Sequence, residues 1–269
     1  MDFHLVAKTA LVSGSTAGIG LAIAAGLAQE GANVYVNGRT EERVQQAVEH
    51  VQAMKAQAKQ SQGTVEGIAA DLGTVEGCVE LLSQLPRVDI LVNNLGIFEA
   101  KPFAQIPDDD WRRFFEVNVL SGVRLSRNYL PGMLKNNWGR ILFISSESAV
   151  QIPVEMIHYG MTKTAQLAVA RGLAESVAGT GVTVNSILAG PTRSEGVSTF
   201  VSDLAKQRGV EQAQVEKEFF DTVRPSSLLK RFATTEEVAA MVVYVASDRS
   251  AATTGAALRV DGGVIRSIL

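Results

Sequence analysis

The sequence is poor in the residues that build disulfide scaffolds and metal centres. It has a single cysteine, Cys78, among 269 residues, so no internal disulfide can form and nothing indicates a secreted, disulfide-stapled domain. Cys78 lies in a predicted helix, where we expect a small apolar filler. The three histidines, His4, His50 and His158, share no ligand spacing with cysteine or carboxylates. We therefore predict no metal site.

The sequence also lacks an excess of charge of one sign and any long apolar run. It has 25 Lys and Arg against 28 Asp and Glu, a net charge of −3 that gives no bias toward nucleic acid or anionic membranes. No apolar run approaches the roughly 20 residues that cross a bilayer, and the first residues do not have the pattern of a signal peptide. These absences favour a cytoplasmic protein without nucleic-acid or membrane partners.

Hydrophobic residues are plentiful, and they alternate between short strands and helices. They make up 46% of the chain, enough for a sizeable core, and no linker or repeat divides it. The first strand (residues 8–13) is followed by a glycine loop (residues 14–20) and by a helix rich in Ala and Leu. Such a loop brings backbone N–H groups close to a pyrophosphate, although a tight turn without a ligand is the alternative.

The end of the second strand (residues 32–37) bears on the choice of nucleotide. In dinucleotide-binding folds an acid at this position takes the ribose hydroxyls, but here the tip offers Asn37, Gly38 and Arg39. A guanidinium suits a phosphate, so we predict NADP as the cofactor, with NAD as the alternative. An exposed arginine that merely begins a loop would explain the same residues.

The third and fourth strands (residues 64–70 and 88–94) end in further polar or small residues. Asp71, followed by Leu72, could accept a hydrogen bond from an adenine amino group, or could instead cap the next helix. Asn93 and Asn94 can satisfy neighbouring backbone groups, and Gly96 leaves room for a flat ligand.

Four polar residues supply the chemistry. Ser146 closes a predicted buried strand, and Tyr159 and Lys163 share one face of the next helix. An ammonium beside a phenol lowers its pKa, which gives an acid–base device for an alcohol or carbonyl; an ordinary surface pair is the alternative. Asn118 lies on the apolar face of a helix predicted at residues 108–133, where an unpaired amide costs about 1–3 kcal/mol. A helix irregularity, an ordered water or a catalytic lysine must require it.

The second half of the chain adds a lid and a contact surface. The helix that carries Tyr159 and Lys163 is apolar nearly all round, which predicts that it packs against the sheet and against a second copy of the chain. We expect a homo-oligomer, either a dimer or a homotetramer. After the sixth strand (residues 181–188), residues 191–231 mix apolar and charged side chains, and we interpret them as a lid over the substrate.

Taken together, these motifs resemble the short-chain dehydrogenase/reductase family over nearly the whole length of the chain. The matching segments are Ser13-Gly14-Ser15-Thr16-Ala17-Gly18-Ile19-Gly20, Asn93-Asn94-Leu95-Gly96, Asn118 with Ser146, Tyr159 with Lys163, and Val260-Asp261-Gly262-Gly263. Three departures from the family pattern are Ser13 for Thr, Leu95 for Ala, and Ala189 for Pro. We expect Leu95 to narrow the cofactor space and Ala189 to loosen the loop that follows the sixth strand.

The resemblance implies a single α/β domain, a doubly wound Rossmann fold with a mostly parallel seven-stranded sheet and helices on both faces. It also implies that Asn118, Ser146, Tyr159 and Lys163 form a catalytic tetrad. The residues implied or predicted to hold the cofactor are Gly14, Ser15, Thr16, Gly18, Ile19, Gly20, Arg39, Asp71, Leu72, Asn94, Gly96, Tyr159, Lys163, Gly190 and Thr192.

The function expected from this pattern is an oxidoreductase that transfers a hydride between NADP(H) and a small carbonyl or alcohol substrate. Tyr159 would act as general acid or base, Ser146 would hold the reacting oxygen, and Asn118 would position a water beside Lys163. The alternatives are an NADP(H) sensor without turnover, a scaffold protein of the same fold, and a dehydratase or epimerase that uses the same tetrad. Neither the substrate nor the preferred direction follows from the sequence.

Overall fold

Seven strands form one parallel sheet in the computed structural model, which describes residues 2–58 and 62–268. Their bounds are β1 Thr9–Val12, β2 Asn33–Gly38, β3 Val65–Ala69, β4 Ile90–Asn93, β5 Gly139–Ser146, β6 Val182–Ala189 and β7 Ala257–Val260. Their order across the sheet is β3-β2-β1-β4-β5-β6-β7, and each neighbouring pair is parallel. The predicted doubly wound α/β fold is therefore confirmed.

The helices that connect the strands cover both sides of this sheet. Their bounds are α1 Gly18–Gln29, α2 Glu41–Ala56, α3 Val75–Gln84, α4 Asp108–Phe115, α5 Ser121–Lys135, α6 Ile157–Ser176, α7 Glu195–Arg208, α8 Gln212–Glu218 and α9 Thr235–Ala246. Helices α1, α2 and α9 lie on one side, and α3, α5 and α6 lie on the other. At the start of α9, Thr234 and Glu237 form a capping box. Thr40 occupies the N-cap position of α2 but makes no side-chain capping bond.

Alternating side chains divide the core between the two faces of the sheet. Ala10 and Val12 of β1 pack with α1, α2 and α9, whereas Leu11 between them packs with α3, α5 and α6. This is the period of two that a strand imposes when both of its faces are covered. Cys78 is buried on the second face, as an apolar filler should be.

The strand order also places a crevice at the carboxyl ends of the neighbouring strands β1 and β4. From β1 the chain moves outward to β2 and β3, then returns to β4 on the other side of β1. The connections leave in opposite directions at this point, and ligands of doubly wound sheets bind outside the carboxyl ends of such strands. The glycine loop follows β1 and Gly96 follows β4, so both border the crevice.

The predicted single helix at residues 108–133 is divided in the structure. Between α4 and α5, residues Glu116–Leu120 form a π-helical turn that contains Asn118. The expected helix irregularity is thus present at the buried amide. Among the described residues, no helix is both long and apolar enough to cross a membrane.

Candidate active site

The glycine loop at the end of β1 is shaped for an anion. Gly14 and Gly18 have φ values of +60° and +57°, a conformation that L side chains rarely adopt. Ala17 stands at the N-cap of α1 and makes no side-chain capping bond. The first N–H groups of α1 therefore have no cap from this side chain and point toward the crevice, as a phosphate site at a helix N-terminus requires.

Asn37, at the tip of β2, holds one side of this loop. Its Oδ1 accepts from the Gly14 N–H at 3.1 Å, and its Nδ2 donates to the carbonyls of Ile68 and Ala70 at 3.1 Å each. Only 1% of Asn37 is exposed. The amide joins the glycine loop to β2 and β3 and is not available to a ligand. Sequence reasoning noted Asn37 only as the absence of an acid and missed this role.

Asn94, after β4, holds the other side of the loop. Its Nδ2 donates to the Ser13 and Gly14 carbonyls at 3.0 and 2.9 Å, and its N–H donates to Ser13 Oγ at 3.0 Å. The predicted role in satisfying backbone groups is therefore seen for Asn94, whereas Asn93 Nδ2 donates to Ser126 Oγ at 3.2 Å. Ser13 keeps the hydroxyl of the residue that it replaces, and that hydroxyl links the ends of β1 and β4.

The other cofactor-binding candidates differ in which of their hydrogen-bonding groups remain available to a ligand. Ser15 donates its O–H to Val12 O and its N–H to Asn37 O, so both of its donors are used within the protein. Arg39 is exposed at the tip of β2. Leu72 is 1% exposed and belongs to the core, so only its backbone can face a ligand.

Asp71 is exposed, and one carboxylate oxygen accepts from the Gly73 N–H at 3.0 Å. It does not cap α3, because Thr74 takes that role by accepting from the Gly77 N–H. The second carboxylate oxygen has no bond to a residue that the structure describes, which leaves it open at the end of β3.

Gly190 and Thr192, after β6, belong to a loop that is firmly held. Gly190 donates to Val260 O at 3.0 Å, and the Thr192 hydroxyl donates back to Gly190 O at 2.9 Å. A Cβ on Gly190 would lie 2.6 Å from the Asp261 backbone, so β7 requires a glycine here. The loosening that we expected from Ala189 stays a prediction.

Asn118 joins the segment after β4 to α6. Its Oδ1 accepts from the Ile97 N–H at 2.8 Å, and its Nδ2 donates to Ile97 O and to Thr162 Oγ1 at 3.0 Å each. Its backbone carbonyl, in the π-helical turn, accepts from Gln166 Nε2 at 2.6 Å. The buried amide is thus fully paired, which offsets the cost of burying it.

Ser146, Tyr159 and Lys163 come together where β5 ends and α6 begins. The Ser146 side chain lies close enough to the Tyr159 hydroxyl to lower its pKa, and Lys163 Nζ lies 5.5 Å from the centre of the Tyr159 ring. Lys163 is 5% exposed, and its ammonium donates to Ile144 O at 2.8 Å. A Cβ placed on Gly96 would lie 3.5 Å from this ammonium, so Gly96 borders the same space.

The acidities of these groups differ from the expectation that Lys163 lowers the pKa of Tyr159. Burial raises the pKa of Tyr159, the negative charge of Glu147 raises it further, and Ser146 and Arg224 act in the opposite sense. Lys163 is not among the groups that shift the pKa of Tyr159, and its ammonium donates to Ile144 O. Burial also lowers the pKa of Lys163 from its ordinary 10.5 to about 8.

Sequence reasoning missed a buried ion pair beside Ser146. Glu147 accepts a hydrogen bond from Ser146 Oγ on one carboxylate oxygen and from Arg224 Nε, at 3.0 Å, on the other. Arg224 also donates to Glu155 at 3.2 Å. Glu147 and Arg224 are 77 positions apart, so no local pattern could have shown that they meet. Phe98, whose ring meets the Tyr159 ring edge-on at 6.3 Å, was missed for the same reason.

Comparison with known proteins agrees with this geometry. The family described as Enoyl-(Acyl carrier protein) reductase matches residues 14–265. An uncharacterized oxidoreductase of Bacillus subtilis (strain 168), YvaG, is 48% identical over 268 residues, with 100% of both chains covered. D-beta-hydroxybutyrate dehydrogenase of Rhizobium meliloti (strain 1021) is 33% identical, over 95% of this chain and 98% of the relative.

A solved structure also resembles the chain over its full length. L-sorbose reductase from Gluconobacter frateurii, complexed with NADPH and L-sorbose, gives a TM-score of 0.91 at 30% identity, and both chains are covered completely. The motifs, the strand order and these relatives all agree, and the chain belongs to the short-chain dehydrogenase/reductase family of oxidoreductases.

Proposed function

We propose that the protein is an NADP(H)-dependent oxidoreductase that transfers a hydride between the nicotinamide and a carbonyl or alcohol substrate. The observation that carries this proposal is the meeting of the Tyr159 and Ser146 hydroxyls with the Lys163 ammonium. They meet at the carboxyl edge of the sheet, on the same side as the glycine loop. A proton donor and a dinucleotide cradle then border one crevice.

The residues around the crevice fit a dinucleotide. The pyrophosphate would lie against the uncapped start of α1, at Gly18, Ile19 and Gly20, with Thr16 beside it. The adenine would meet Asp71, and the nicotinamide ribose would meet Lys163, whose ammonium has donors beyond the one given to Ile144 O. When bound, NADPH supplies the hydride.

The tetrad has a distinct role for each residue. Tyr159 gives a proton to the carbonyl oxygen in reduction and takes it back in oxidation, while Ser146 holds the same oxygen. Lys163 supports the ribose. Asn118 Oδ1 and Lys163 Nζ both border the space beside Gly96, and the role proposed for Asn118 is to position a water near Lys163.

The first experiment follows nicotinamide absorbance with a panel of ketones, aldehydes and alcohols. Tyr159→Phe should abolish turnover and leave NADPH binding nearly intact. Tyr244→Phe, a change on the outward part of α9, is the matched control and should behave as the wild type. Turnover that survives in Tyr159→Phe would contradict the assigned role. Nucleotide binding without turnover of any substrate would instead favour the sensor.

The preference for NADP over NAD rests on Arg39. It is exposed at the tip of β2, no acid accompanies it, and the neighbouring Asn37 is occupied by the loop. The structural neighbour L-sorbose reductase is complexed with NADPH. Arg39→Ala should raise the KM for NADPH about tenfold and leave that for NADH unchanged, since a charged hydrogen bond contributes ~1.5–3 kcal/mol. Arg87→Ala, at the opposite edge of the sheet, is the control. Equal effects on both nucleotides would refute the role of Arg39.

Residues 191–231 are proposed as the substrate lid. They contain α7, α8 and their own apolar cluster, Val201, Ala205, Val215 and Phe220, which packs with Phe232 just beyond the segment. The segment begins over the glycine loop, where a Cβ on Gly18 would lie 3.4 Å from Ser194 Cβ. Near its other end, Arg224 reaches Glu147 beside the reacting groups.

Association of copies of the chain stays a prediction. Helices α5 and α6 leave a mainly apolar groove between them, lined by Val123, Ser126, Arg127, Leu130, Pro131, Leu134, Val169 and Leu173. Light scattering on a sizing column should show more than one copy of the chain in each particle. Leu130→Glu should reduce the number of copies in each particle. A particle with the mass of a single chain in the wild type would contradict the prediction.

A further inference from the structure

Glu147 has a position that the hydride-transfer proposal does not explain. It follows Ser146 directly at the end of β5, and only 6% of its side chain is exposed. A buried carboxylate is costly unless it is paired, and the pairing here is specific. Arg224 takes one oxygen, at 3.0 Å, and the Ser146 hydroxyl takes the other.

The bond from Ser146 to Glu147 creates a conflict with the task of Ser146. A hydroxyl has one proton, and here it is given to the Glu147 carboxylate. A lone pair of Ser146 Oγ accepts from the Ser148 N–H at 3.1 Å. Ser146 in this state has no proton to give to a carbonyl oxygen, so something must replace it at Glu147 before it can hold a substrate.

We propose that the substrate itself does so, and that Glu147 selects ketones with a hydroxyl group on the carbon next to the carbonyl. The substrate hydroxyl donates to the Glu147 oxygen that Ser146 now occupies, and the Ser146 O–H turns to the carbonyl oxygen. No covalent bond forms or breaks in this exchange. The inference rests on the proposed hydride transfer and adds the substrate class to it.

The geometry of such a substrate matches the exchange. The carbonyl and hydroxyl oxygens of an α-hydroxyketone in its eclipsed form lie about as far apart as two hydrogen-bonded oxygens, ~2.7–2.8 Å. Ser146 Oγ and the Glu147 oxygen are themselves hydrogen-bonded neighbours. The two substrate oxygens can therefore face Ser146 and Glu147 side by side.

The local charge also discriminates between substrates. Glu147 and Glu155 contribute two negative charges and Arg224 one positive charge, so the group as a whole is negative. A 2-oxo acid would bring its carboxylate against Glu147 and be repelled, whereas a neutral hydroxyl is a donor to it. The group therefore favours neutral hydroxyketones over keto acids.

The test compares 1-hydroxybutan-2-one with 1-methoxybutan-2-one as substrates for NADPH-dependent reduction. Both carry an oxygen next to the carbonyl, but only the first has a proton to donate. The wild type should favour the hydroxyketone at least tenfold in kcat/KM, which corresponds to ~1.4 kcal/mol. 2-Oxobutanoate should be a poorer substrate than the hydroxyketone.

In Glu147→Gln the kcat/KM values for the hydroxyketone and the methoxyketone should lie within about twofold of each other. Arg224 Nε holds the amide oxygen, so the NH2 group, which cannot accept, faces the substrate. The double variant Glu147→Leu with Arg224→Met replaces the ion pair by apolar residues and covers the case in which the single variant does not fold. Glu155→Gln removes the other carboxylate on Arg224 and should keep the preference.

NADPH binding and thermal melting are measured for each variant. A wild type that reduces both ketones equally, or a folded Glu147→Gln variant that keeps the preference, would overturn the role of Glu147 while the oxidoreductase proposal stands. A wild type that reduces no ketone of the panel would overturn both the role of Glu147 and the oxidoreductase proposal.

Discussion

The buried ammonium of Lys163 should make the stability of the protein depend on pH. Burial lowers the pKa of Lys163 from its ordinary 10.5 to about 8. Below pH 8 the group is charged in both the folded and the unfolded chain, and the folded state bears the cost of desolvation. Between pH 8 and 10.5 the unfolded chain binds more protons than the folded one, so the free energy of unfolding rises with pH.

The size of this effect follows from the same two values. The difference between about 8 and 10.5 corresponds to about 3 kcal/mol, of which about 2.5 kcal/mol should appear between pH 7 and pH 10. Lys163→Met keeps the length of the side chain, removes the charge and gives up the bond to Ile144 O. Between pH 7 and pH 10 the free energy of unfolding of the wild type should therefore rise by about 2.5 kcal/mol relative to that of this variant.

Urea unfolding followed by tryptophan fluorescence, at several pH values from 7 to 10, measures the difference. Lys206→Met, a change on the exposed side of α7, is the matched control and should give a curve parallel to that of the wild type. A constant difference between the wild type and Lys163→Met across the range would show that the ammonium is solvated, and the reasoning from burial would be wrong.

Two further predictions concern the glycine loop. Gly38→Ala places a Cβ against Thr16 Cγ2 and should weaken NADPH binding about tenfold or more in a fluorescence titration; Gly172→Ala, with nothing within 4 Å, should instead stabilise the protein by about 0.5–1 kcal/mol. Asn37→Ala leaves the Gly14 N–H and two buried carbonyls without a partner and should cost about 2–4 kcal/mol in urea unfolding. Unchanged nucleotide affinity in Gly38→Ala, or a loss below about 1 kcal/mol in Asn37→Ala, would contradict the packing and the bonding described.

Much of the fold could be predicted because strands, glycine loop and helices are local patterns. The loop and the strand ends that border the crevice follow from short apolar runs and the residues that close them. The buried amide of Asn118 is an instructive case, since its place on an apolar face predicts a special partner or an irregular helix. The structure shows both, a π-helical turn and bonds to Ile97 and Thr162.

What could not be predicted depends on residues that meet only after folding. Glu147 at the end of a strand has the appearance of a solvated loop acid, and Arg224 that of a charged residue of the lid. Their pairing joins the end of β5 to the segment at residues 191–231. The prediction that Lys163 sets the pKa of Tyr159 differs from the structure for a similar reason. Burial and the charge of Glu147 raise this pKa, and the sequence shows neither of them.

The clamping of the glycine loop by Asn37 and Asn94 has a consequence for how the protein and its nucleotide are coupled. A loop fixed on both sides by side-chain amides has lost its conformational freedom during folding, so a ligand finds it preorganised and orders little on arrival. The same hydrogen bonds then contribute to folding stability and to nucleotide affinity. Substitutions at these two positions cannot weaken one without weakening the other, which ties the evolution of cofactor binding to the stability of the sheet edge.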